Sequence, residues 1–120
     1  MSRRKDIQGY LSDMLLHCQR ILEATNGDFD TFAESWLIQD AVIRNFEVMG
    51  EIAKRIDAAF KEQHPEIPWR SVQAFRDVLI HDYEDLRVEI VWQTISNDIP
   101  ALQNALEAAL ASLPPEEDVP

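Results

Sequence analysis

A chain of 120 residues, 46% of them hydrophobic, is one domain with enough apolar material for a packed core. Its net charge of −11 excludes a broad basic surface for non-specific nucleic-acid binding and leaves room only for a local basic patch. No apolar run approaches the roughly 20 residues of a membrane span, no apolar run follows the basic N-terminus as in a signal peptide, and the single cysteine permits no intrachain disulfide, so a cytoplasmic location is expected.

Ile7, Tyr10, Leu11, Met14, Leu15, Cys18, Ile21 and Leu22 recur at three and four, which predicts an amphipathic helix from about residue 4 to 25. Asn26 and Gly27 end it, because both tolerate positive φ. Asp28 to Ser35 reads as a short loop or helix entry. A second helix is expected from about 35 to 63, with Trp36, Val42, Ile43, Phe46, Met49, Ile52, Ala53, Ile56, Ala59 and Phe60 in its stripe. Gly50 is its weak point, a place for a slight bend or for close approach of another helix. His64 to Pro68 stops it, and Pro68 suits the first turn of a third helix, from about 68 to 82.

A fourth helix begins near Leu86, its stripe running from Val88 through Val91, Trp92, Ile95, Ile99, Leu102, Leu106 and Ala109 to Leu113. Pro100 kinks or restarts it, with Asn97 or Asp98 as the cap of the restart. Residues 114–120, Pro-Pro-Glu-Glu-Asp-Val-Pro, read as a disordered acidic tail. The fold class is therefore all-α. The expected architecture is an up-and-down four-helix bundle over residues 1–113, with a kinked or split last helix. Such a bundle does not specify a function.

The third helix holds the chemistry. On a wheel with Arg76 at zero, Val72, Phe75, Val78 and Leu79 fall between about 200° and 320°, the core face. Asp77 falls at about 100° and His81 at about 140°, so Arg76 and His81 flank the non-core face. Ala74 and Ile80 are apolar on that same arc, so either the bundle or a second subunit covers them, and the second subunit is preferred. A guanidinium clamps phosphate through its fork of donors, and imidazole moves protons near neutral pH. Asp77, four residues before His81, can orient the ring and favour its charged form. Taken alone, the plainer reading is preferred: a surface arginine paired with an acid, and a structural or solvated histidine.

Arg76-x4-His81-x-Tyr83 resembles the signature of HepT, the toxin of HEPN/MNT toxin–antitoxin systems. HEPN domains carry Arg-x4-6-His, and Asp77 fits the slot after the arginine. The likeness continues through Asp40-Ala-Val-Ile-Arg44-Asn-Phe-Glu47-Val-Met-Gly50-Glu51-Ile-Ala53, then Ile67-Pro68-Trp69-Arg70. It extends through Glu89-Ile-Val-Trp92 and Asn97-Asp98-Ile99-Pro100-Ala101-Leu102. It departs where Ala74 replaces a frequent glycine and where Glu84-Asp85 follows the tyrosine.

The resemblance implies a HEPN-like, homodimeric, metal-independent endoribonuclease with no cofactor, whose two motifs face each other across the dimer cleft. It assigns His81 as general base or acid, Arg76 as phosphate clamp and Asp77 as the group orienting His81. RNA, tRNA included, is the implied substrate. It also makes Tyr83 the residue that an MNT nucleotidyltransferase antitoxin would modify with AMP.

Asp40, Arg44, Glu47 and Glu51 lie at helical spacing and are candidates to support Arg76 or His81; a solvated face is their plainer reading. Trp36, Trp69 and Trp92 fall on or near core stripes, so packing is expected of them rather than base stacking. His17 and His64 carry no assigned role. Three scattered histidines and one cysteine do not make a zinc spacing, and there is no glycine-rich phosphate loop. The rival function is a non-catalytic helical module that binds a nucleotide or a nucleotidyltransferase.

Overall fold

The computed structural model describes residues 3–81 and 87–113, with side chains described for residues 6–77 and 87–113. The expected acidic tail, residues 114–120, lies outside the described residues. The elements in chain order are α1 (Arg3–Thr25), α2 (Phe29–Ala33), α3 (Trp36–Arg55), α4 (Ala58–Gln63), α5 (Trp69–His81), α6 (Val88–Gln93), a π turn (Thr94–Asp98) and α7 (Ile99–Ser112). The fold is an all-α helical bundle. α3 packs on both α1 and α5, and α1 also packs on α7. Among the described residues no helix is long and apolar enough to cross a membrane.

α1 ends where its sequence says it should, with Asn26 and Gly27 at φ of 50° and 66°. Asp28 then caps α2, its carboxylate accepting the Thr31 N–H at 3.1 Å. Ser35 caps α3 by accepting the Ile38 N–H at 3.2 Å. Gln39 folds back from α3, and its amide donates to the carbonyls of Phe32 and Ala33, which have no acceptor role left in α2. The core runs through Leu11, Met14, Cys18 and Ile21 of α1, Val42, Phe46 and Met49 of α3, and Ile99, Leu102 and Leu106 of α7.

The expected second helix is two helices. Ile56 takes an extended ψ of 134° and Asp57 caps α4, accepting the Phe60 N–H at 2.8 Å. Ile56 and Phe60 stay buried across the break while Ala59 turns outward, so the apolar stripe conceals the boundary. Asp57→Ala removes this cap and should lower stability by about 1 kcal/mol, read from a urea unfolding curve. Trp36 is also a correction, because it is 69% exposed instead of packed in the stripe. It is the first residue of α3 and projects beyond the core. Trp69 and Trp92 do pack, Trp92 against the rings of Phe29 and Phe32. Pro68 sits immediately before α5, its carbonyl accepting the Val72 N–H, instead of inside the first turn.

The last helix is split as expected, but by a different device. Asp98 makes no side-chain capping bond, and the chain stays helical through the restart. The Ile99 N–H donates instead to the carbonyl of Thr94, five residues back. Val91, Ile95 and Ile99 are spaced four apart, so each would drift about 40° round an ideal α-helix. One wider turn brings all three into the core, and Pro100, which has no N–H to give, follows it without cost.

Candidate active site

α5 lies along α3 at a point of close contact. A β-carbon built on Gly50 of α3 would overlap Cβ and Cγ of Arg76. Arg76 therefore does not look outward, as its place on the wheel suggested. Its aliphatic stem rests on the bare backbone of α3, and only 18% of the side chain is exposed. Phe75 packs edge-on against Phe46 of α3 with ring centroids 4.7 Å apart, which fixes the roll of α5.

The guanidinium emerges from this notch into a set of charges. One terminal nitrogen, Nη2, is paired with Glu51 of α3. The other, Nη1, donates to Asp77 Oδ1 at 3.0 Å. The same Asp77 oxygen lies 3.6 Å from Lys54 Nζ. Nε is buried and has no hydrogen-bond partner among the described residues. The stem thus delivers its two terminal nitrogens, and not Nε, to the surface.

The hydrogen bond to Asp77, helped by the charges of Glu51 and Asp77, holds the arginine above its ordinary range against a smaller opposing effect of burial. The hydrogen bond from Arg76, with the charges of Lys54 and Arg76, holds the Asp77 carboxyl below its ordinary range. Asp77 therefore stays ionised at neutral pH. Its contribution to the cluster is complete above the ordinary carboxylate range and is lost only as pH falls through its depressed value.

Of the supporting candidates on α3, Glu51 reaches Arg76 directly, while Asp40 and Arg44 are exposed and Glu47 is half-buried. Sequence reasoning missed Lys54. Its signal was its place three residues after Glu51, on the helix face that carries Gly50. His81 is the last residue of α5, but its side chain lies outside the described residues, as do the side chains of Val78, Leu79 and Ile80 and the whole of Tyr83. Ala74 is exposed and lines an apolar groove of about 510 Å³ between α5 and α7, together with Phe46, Met49, Val72, Phe75 and Leu102. Arg76 does not line this groove.

Residues 14–109 match the family described as Ribonuclease HepT-like. The chain belongs to that family. It is 39% identical over 105 residues to a Thermococcus cleftensis protein named "Probable ribonuclease HepT", covering 87% of this chain and 96% of that one. It is 33% identical over 116 residues to a candidate RNase of Methanocaldococcus jannaschii, covering 96% of each. A candidate RNase of Caldanaerobacter subterraneus is 32% identical over 102 residues, covering 84% of this chain and 91% of that one. No solved structure matches it. The matched segment of this HepT-like chain includes Gly50, Glu51, Lys54, Arg76, Asp77 and His81.

Three other side chains serve the packing of the HepT-like bundle. His17 Nδ1 is 2.6 Å from Asn45 Oδ1, which ties α1 to α3. His64 stacks on Phe60, and its carbonyl accepts the Trp69 indole N–H at 3.0 Å. Cys18 is buried beside Met49, and burial pushes its thiol up to about 12. A thiol reagent at pH 8 should therefore label the native protein only as fast as it unfolds, and label it at once in denaturant; mass spectrometry of the adduct reads both.

Proposed function

We propose that this protein is a metal-independent endoribonuclease toxin that works as a homodimer and is neutralised by an MNT-type nucleotidyltransferase antitoxin. The observation that carries this reading is the placement of Arg76. Its stem is sunk against a glycine and its fork is held at the surface by Glu51 and Asp77, within a segment that matches a ribonuclease family.

His81 follows Arg76 by five residues, about 7.5 Å along the helix axis and about 140° round it. The two positions thus lie on different faces of one α5, and in the proposed dimer two copies meeting across a cleft would supply both groups to one phosphate. In the proposed reaction one His81 takes the proton of the 2′-OH, which attacks phosphorus. The bond to O5′ breaks, and the second His81 protonates the leaving oxygen. The two Arg76 side chains stabilise charge on the phosphorane oxygens. The product is a 2′,3′-cyclic phosphate or its hydrolysed form. Asp77 orients His81, and Asp77→Asn is expected to move the histidine limb of the pH–rate profile to lower pH, because a neighbouring carboxylate favours the charged ring.

AMP attached to Tyr83 would bring phosphate charge close to the guanidinium and occupy it in place of RNA. The test is cleavage of RNA by the purified, unmodified protein with and without EDTA. Cutting that survives EDTA and is lost in Arg76→Ala and His81→Ala supports the enzyme. Growth arrest that persists in both variants favours the non-catalytic module. Intact mass after co-expression with the antitoxin tests the modification, which should add AMP to the wild type and not to Tyr83→Phe.

A further inference from the structure

The geometry points to Lys54 as a second phosphate-binding group, forming with Arg76 a two-cation cradle that Asp77 fills in the free protein. The inference rests on the ribonuclease reading for its ligand but not for its geometry. Asp77 Oδ1 is 3.0 Å from Arg76 Nη1 and 3.6 Å from Lys54 Nζ, so cations from two different helices converge on one oxygen atom. An oxygen of a phosphodiester at that point meets both. The arginine arm of the cradle is held in place, because Arg76 is wedged on Gly50 and pinned by Glu51, while Lys54 reaches the same point from the surface of α3.

Asp77 is the part that can leave. Half of its side chain is exposed, and it is a short side chain with few bonds to rotate. Glu51 stays on Nη2 and keeps the fork oriented while Nη1 changes partner. With Asp77 in the cradle, Arg76, Lys54, Glu51 and Asp77 sum to zero charge; with Asp77 turned out, the site itself is left with an excess positive charge for an anion. Asp77 stands four residues before His81, so the carboxylate that phosphate displaces is on the right face to serve the imidazole. In a chain of net charge −11, a local pair of convergent cations is the kind of patch that can hold a polyanion at all.

The test measures binding apart from cutting. The probe is a fluorescein-labelled single-stranded oligoribonucleotide with 2′-O-methyl groups, which has no nucleophile and cannot be cleaved. Its dissociation constant is measured by polarisation across a salt series for the full chain, Lys54→Gln, Lys54→Arg and Arg20→Gln. Arg20 is an exposed arginine on α1, and its substitution makes the same change in charge. Each phosphate contact on a single strand contributes about 0.7 to the slope of log affinity against log salt. Lys54→Gln should lose about that much, so its disadvantage to wild type shrinks about fivefold for a tenfold rise in salt. Lys54→Arg should restore the slope and Arg20→Gln should keep it.

If Lys54 is only the counterion of Asp77, Lys54→Gln keeps the wild-type slope and the inference falls. It falls equally if Arg20→Gln loses as much, or if the wild type shows no salt-dependent binding. Cleavage of the unmodified strand is scored separately: no cutting by the wild type refutes the ribonuclease reading, while the slopes still decide the cradle.

Discussion

Gly50→Ala is expected to destabilise the protein by about 1–3 kcal/mol and to reduce RNA cleavage far more than that loss of folded protein explains. Two effects compete. Alanine is the better helix former, and by propensity alone the substitution inside α3 should stabilise by about 1 kcal/mol. Against this, the new methyl group overlaps Cβ and Cγ of Arg76. Those atoms are the root of the side chain and not its mobile end, so relief requires that α5 itself move. Packing wins, and the movement carries the guanidinium away from Glu51 and from the point it shares with Lys54.

Gly9 supplies the control. It is a helical glycine in α1, and a β-carbon there meets nothing within 4 Å. Gly9→Ala should be neutral or stabilising by up to about 1 kcal/mol. Urea midpoints at unchanged slope read the stabilities, and turnover per folded molecule reads the site. Equal behaviour of the two alanine variants would mean that α5 does not rest on α3 at this glycine.

The same contact shows what the sequence could and could not disclose. The stripes of α1 and of the α6–α7 segment were legible, because the buried residues repeat at three or four and the buried Thr25 comes only at the end of α1. Asn26-Gly27 was legible because positive φ selects those residue types. The break at Ile56–Asp57 was hidden, since Ile56 and Phe60 stay in phase on both sides and an aspartate on a helix surface is unremarkable until it caps. The π turn was hidden too. Only the spacing of Val91, Ile95 and Ile99 by fours before Pro100 hints at it. At the site, a wheel ranks faces by polarity and therefore turned Arg76 outward. It does not know that the neighbouring helix offers a glycine, or that an arginine stem is apolar enough to lie on it. Gly50 and Arg76 were each noticed, but their meeting is a tertiary fact. Lys54 was missed for the same reason, because what marks it is an oxygen on another helix.

Arg76→Lys is expected to lower kcat/KM by at least about 10² while the protein stays folded. The substitution keeps the charge, so an enzyme that needs only a cation at this place would tolerate it. The geometry argues otherwise. Glu51 and Asp77 bind different terminal nitrogens of one planar group, and that pair of contacts sets its orientation. A lysine ammonium is a single point at the end of a flexible stem. It can satisfy one carboxylate or sit between them, but it does not hold Glu51 while presenting a second nitrogen to phosphate. Binding should suffer little, because the charge remains beside Lys54, and the salt slope measured with the uncleavable strand should stay near wild type. The loss should fall on kcat, where donors aimed at the phosphorane oxygens count most. Arg76→Ala differs in kind: it leaves Glu51 and Asp77 facing the substrate with Lys54 as their described counterion, so KM rises and kcat falls together. Single-turnover cleavage at enzyme excess, with far-UV circular dichroism to confirm folding, separates the two patterns. A lysine variant that cuts at the wild-type rate would show that charge alone suffices and that the paired fork serves only to pack α5 on α3.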